Sequence, residues 1–106
     1  MDAESASRLL PDRELLATVW RYLASYRESQ LREDPLCLCR KIVRWSDKDL
    51  SMGQLLTCLD IFADVELFRV VRHNRLITVQ LLETRQKRDL NESRTMQRLL
   101  AAKEQA

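Results

Sequence analysis

The residues best suited to chemistry lie between positions 69 and 88. Arg69, Arg72, Arg75, Arg85, Lys87 and Arg88 are set there against one acid, Glu83, and His73 stands among them. A guanidinium is a planar fork of donors that matches phosphate or carboxylate oxygens. A run of such side chains on one outward surface would hold a polyanion weakly, without sequence preference, and would release it as salt rises. The seven basic residues are therefore the candidate site for single-stranded DNA or for an acidic protein partner. The competing reading is a solvated hairpin surface with no ligand.

Catalytic chemistry finds little support. His73 is the one imidazole, at the tip of a hairpin, where solvation or a phosphate contact is its natural use. No Ser-His-Asp set can be assembled around it. Asp60 and Asp64 share a helix face four residues apart, but a phosphodiesterase centre gathers several Asp and His residues from different segments. They read as solvated helix surface. Gly53 is the single glycine of the chain, so no Gly-rich loop exists to cradle a phosphate. Cys37, Cys39 and Cys58 are an odd number, and positions two apart on a helix point to different sides. A zinc site needs about four ligands. The cysteines therefore read as free thiols in a reducing compartment, and neither metal nor cofactor is expected in the chain.

The charge is unevenly spread. Residues 1–68 carry nine basic and twelve acidic groups, residues 69–88 six against one, and residues 89–106 three of each, for a net charge of +2. Fourteen of the eighteen bases are arginine. A charged fraction of 32% with 45% hydrophobic residues describes an ordinary soluble globule of one domain. The acidic, polar start Met1–Ser5 is the reverse of a signal peptide, and no apolar run approaches the roughly 18 residues of a membrane span. A cytoplasmic protein without membrane contact is the expectation.

The elements that must position these groups can be read from hydrophobic spacing. One glycine and two prolines argue against a turn-dense sandwich or barrel. Residues 1–9 read as a polar lead-in or linker, and residues 10–104 as the domain. Pro11-Asp12 opens a helix with Leu15, Leu16, Val19, Trp20, Leu23 and Tyr26 on its apolar stripe. Residues 29–32 suit a short edge strand. Asp34-Pro35 caps a second helix ending near Trp45, and Ser51-Met52-Gly53-Gln54 has capping-box form before a third. That third helix carries no Lys or Arg and is expected to expose Gln54, Thr57, Asp60 and Asp64. Alternation then replaces the helical period over residues 67–81, with His73-Asn74-Arg75 as the turn of a β-hairpin. A last helix follows Asp89, capped by Asp89, Asn91 or Ser93.

The expected fold is thus mainly α with a β-hairpin (α+β). Its order of helix, short strand, helix, helix, hairpin, helix is winged-helix-like. The expected core is Leu16, Val19, Trp20, Leu23, Ile42, Leu55, Leu59, Phe62, Phe68, Val70, Ile77 and Val79. Among the aromatics, Trp45 and Tyr22 are the open candidates for stacking on unpaired bases.

Three segments carry a family resemblance. Leu10–Glu14 with Val19–Leu23, Leu59–Phe68 at the helix-to-hairpin junction, and Lys87–Ser93 together resemble the C-terminal domain of Firmicutes-type RecJ. RecJ is a bacterial exonuclease of DNA repair and recombination that degrades single strands in the 5′ to 3′ direction. The resemblance spans roughly residues 9–100. It implies an accessory domain of a metal-dependent phosphodiesterase whose Mn or Mg belongs to the catalytic domains, because the family's Asp-His-His signature is missing here. It also implies contact with single-stranded DNA, with single-strand-binding protein or with another repair protein. The family's hairpin turn often reads Asn-Gly where this chain has Asn74-Arg75. Two other functions compete: a stand-alone winged-helix regulator reading duplex DNA, and a pure protein-interaction module. The acidic third helix disfavours the regulator, since a recognition helix needs polar or basic side chains toward the bases.

Overall fold

The computed structural model describes residues 2–25, 30–82 and 89–104. Helix α1 spans Ala3–Leu9, α2 Arg13–Ala24, α3 Pro35–Ser46, α4 Met52–Asp64 and α5 Arg94–Glu104. Strands β1, β2 and β3 cover Gln30–Glu33, Phe68–His73 and Leu76–Leu81, and a short 3-10 helix, Leu90–Glu92, precedes α5. The fold is the expected α+β arrangement. α2, α3 and α4 form the three-helix unit, β1 lies between the first two, and the hairpin follows the third.

Local chemistry explains the boundaries. Asp12 accepts from the Leu15 amide at 2.7 Å to start α2. Asp34 accepts from the Leu36 amide at 2.9 Å, with Pro35 in the first turn where its missing N–H costs nothing. The capping box of α4 is complete: Ser51 Oγ accepts from the Gln54 amide, and Gln54 Oε1 accepts from the Ser51 amide. With one glycine in the chain, the left-handed positions among the described residues fall to Asp47, Glu66 and Asn74. Asn74, at φ 56°, makes the two-residue hairpin turn.

The sheet is antiparallel with order β1-β3-β2. Leu31 and Val70 both pair with Val79, and Phe68 pairs with Leu81. One sheet face thus carries Leu31, Phe68, Val70, Ile77 and Val79 toward the helices. Phe62 of α4 meets Phe68 of β2 with ring centroids 5.6 Å apart. Ten of the twelve expected core residues are buried in one cluster. Val70 is half-buried against it.

Three expectations need correction. Residues 3–9 are not a lead-in but helix α1, which packs on α5 and α4 through the buried Ala6. Trp20 is not core: it is 41% exposed, whereas Tyr22 is buried. The helical angle explains both. At about 100° per residue, Tyr22 falls between Thr18 and Leu15 on the inner arc, and Trp20 lies about 160° away from it. Thr57 is buried rather than exposed and donates to the Gly53 carbonyl at 2.8 Å. The face of α4 that it occupies is covered by α1 and α5. The lone glycine belongs to this contact, since a Cβ on Gly53 would stand 2.8 Å from Leu9 Cδ2.

Candidate functional site

The hairpin splits its basic residues between two faces. Positions 69, 71 and 73 point away from the helices and positions 68, 70 and 72 toward them, as the two-residue period of a strand requires. Arg69 and His73 therefore stand on the outer face, with Arg75 exposed at the turn. Arg72 departs from the expected single outward surface. At the end of β2 it reaches past the core to Asp60 of α4, with Nη2 to Oδ1 at 2.9 Å. Arg85, Lys87 and Arg88 lie outside the described residues.

The outer face gains a member the sequence reading missed. Arg32 of β1 is exposed and lies in one cross-strand row with Thr78 and Val71. Arg32, Arg69 and Arg75 form no ion pair with another described residue. Val71 and Leu76 are apolar and exposed on the same surface. The signal for Arg32 was register, because only pairing of β1 with β3 places it beside the hairpin.

Asp60 and Asp64, one turn apart, have opposite environments. Burial raises the Asp60 carboxyl above its usual value, with Arg72 opposing and Asp64 adding to the rise. Asp64 also feels burial, but the Ser93 hydroxyl, Thr95 and Arg98 outweigh it and hold its pKa below the usual value. Its Oδ2 accepts from Ser93 Oγ at 2.7 Å and from the Thr95 amide at 2.9 Å. Ser93, wholly buried, accepts in turn from the Met96 amide. Asp64 thus ties the end of α4 to the start of α5. Asp89 caps the 3-10 helix instead, accepting from the Asn91 amide.

Among the described residues, no group of three or more His, Cys, Asp or Glu side chains could hold a metal ion. Cys39 and Cys58 are buried and Cys37 is exposed, all as free thiols. Burial, reinforced by the Asp12 carboxylate, pushes the Cys58 thiol up to about 12. Such a thiol is a packing residue, not a nucleophile. No helix of the described residues is long and apolar enough to cross a membrane.

The helix a duplex reader would insert into the groove is enclosed. α4 buries Leu55, Thr57, Cys58, Leu59, Ile61 and Phe62 and is packed by α1, α2, α3, α5 and β2. Comparison with protein-family models, with curated proteins and with solved structures gives no match to this chain. The site therefore stands on its geometry. What that geometry offers is binding: guanidinium groups on an outer sheet face, next to exposed apolar side chains, with no ion pair to those groups and no assembled acid–base or metal centre among the described residues.

Proposed function

We propose that this chain is a non-catalytic accessory domain of a RecJ-like 5′-3′ single-stranded-DNA exonuclease, and that its role is to hold the single strand. The observation that carries this reading is the outer sheet face. Arg32 and Arg69 stand there, with Arg75 beside them at the hairpin turn, and none of the three pairs with an acid among the described residues, while the helical core beneath is closed. The enclosed, base-free α4 speaks against the alternative of a duplex-reading regulator. Single strands need no groove-filling helix; they need a basic track and apolar surfaces for the bases.

The test is anisotropy of a fluorescent oligothymidylate titrated with the purified chain. Binding should fall steeply between low and moderate salt. Arg32→Gln, Arg69→Gln and Arg75→Gln combined should weaken it at least tenfold and flatten its salt slope. A combined variant that binds like the parent would remove the sheet face from the account. The labelled strand should also stay intact in the presence of Mn²⁺.

A further inference from the structure

The outer arc of α2 is a second surface that the hairpin does not explain. Arg13, Ala17 and Arg21 are spaced by four residues and form a ridge about 12 Å long. An open groove runs along each side. One, of about 580 Å³, includes Trp20 beside Leu16 and Leu90. The other, of about 530 Å³, includes Trp45 of α3. Both grooves share Arg13, Ala17 and Arg21. The half-buried Ala17 leaves the ridge low between its two arginines.

The chain has two tryptophans, and this ridge has both. They are 41% and 54% exposed. Trp45 meets the buried Tyr22 in an edge contact, with ring centroids 5.5 Å apart, and leaves the rest of its surface to solvent. Leaving two indoles half in water forgoes hydrophobic stabilisation that burial would supply. Arg13 also occupies the first turn of α2, where the helix dipole disfavours a cation. Of the acids on the groove rims, Glu14 is paired with Lys48 and Asp89 accepts from the Asn91 amide. Arg13 and Arg21 form no ion pair with another described residue. Two cations with no ion pair among the described residues, set between two half-exposed indoles, match a chain of phosphates carrying unstacked bases.

We infer that the α2 ridge is a stacking site for single-stranded nucleic acid, in which Trp20 and Trp45 each take a base while Arg13 and Arg21 hold the phosphates between them. The inference rests on the single-strand reading above but places contact on a different surface from the sheet. A duplex keeps its bases stacked on one another and offers these indoles nothing.

Intrinsic fluorescence reads the claim directly, because Trp20 and Trp45 are the only indoles. Titration with a short oligothymidylate should quench both, as reported by Trp20→Phe and Trp45→Phe variants that each leave one indole. A duplex of the same length should quench neither. Trp20→Leu and Trp45→Leu should each weaken oligothymidylate binding about tenfold, as loss of a stacked base predicts. Phenylalanine at either position, still a π-face, should retain most of the affinity. Arg13→Gln with Arg21→Gln should weaken binding and reduce its salt slope, with the circular dichroism spectrum unchanged. Binding measured by anisotropy without any change in tryptophan emission would overturn the ridge and leave the sheet face standing. Quenching by an acidic peptide such as oligoglutamate, but not by oligothymidylate, would overturn it in favour of a protein partner. Absence of oligothymidylate binding would overturn both the ridge and the single-strand reading.

Discussion

α2 and α4 are helices of 12 and 13 residues with opposite uses. α4 is apolar around most of its circumference, and neighbours cover it on all of those sides. Its two acids serve as ties, Asp60 to β2 and Asp64 to the start of α5. α2 buries a single arc of Leu15, Leu16, Val19, Tyr22 and Leu23. The opposite arc carries Arg13, Ala17, Trp20 and Arg21. Counting apolar residues along a helix therefore does not locate the face that packing leaves free. The useful observation is a large aromatic on the arc that packing leaves uncovered. α4 thus serves as scaffold, and α2 keeps an accessible surface.

The largest effect that can break this comparison is in the core. Leu59, with no exposed surface, should cost about 2–5 kcal/mol when replaced by alanine, measured by urea unfolding. Trp20→Leu removes a larger side chain yet should cost under about 1.5 kcal/mol, because the indole is partly in water. Equal costs would mean that α2 is buried all round and has no free ridge.

The ties of α4 come next. Ser93→Ala removes the cap of α5 and a donor to Asp64 and should cost about 1–2 kcal/mol. Asp64→Asn should cost about 1 kcal/mol at neutral pH. The Asp64 carboxyl is held below its unfolded value, so the unfolded chain takes up the proton first as pH falls. The stability it contributes is complete above the unfolded pKa, near 4. It is lost as pH drops through the lower folded value, where the Asn variant and the parent should converge.

Asp60 carries the opposite sign. Its raised pKa means that the fold disfavours the charged form, so this group adds stability as pH falls through the folded value. Asp60→Asn should therefore leave neutral-pH stability unchanged or slightly higher, despite the loss of the Arg72 ion pair. Destabilisation comparable to that of Asp64→Asn would contradict the separation of the two carboxylates.

Gly53→Ala should have the smallest effect, within about 1 kcal/mol in either direction. Alanine favours the helix by about that amount, while the new Cβ displaces only the mobile end of Leu9.

Features set by neighbours in sequence were legible, and those set by distant packing were not. The capping box at Ser51, the Asp34-Pro35 helix start and the Asn74 turn depend on residues within a few positions. Each is present. Ten core residues follow from periodicity alone. α1 escaped because its one buried side chain is Ala6, which leaves no apolar stripe to recognise. Thr57 escaped with it, since α1 and α5 must be in place before that face of α4 is covered. At the site, Arg69 and Arg75 stood out as a charge run. The diversion of Arg72 to Asp60 and the addition of Arg32 needed the strand register. Trp20 lay at the edge of a stripe wider than the face it buries, and its outward position became clear only with the core in place.

The most direct measurement is a map of backbone amide and indole N–H shifts during titration with oligothymidylate. Perturbation is expected at Arg13–Arg21, at both indoles, on the outer rows of the sheet at Arg32 and Arg69, and at Arg75 in the hairpin turn. Residues Met52–Asp64 of α4 should remain still. Perturbations centred on α4, with the α2 ridge and the sheet face unmoved, would contradict it.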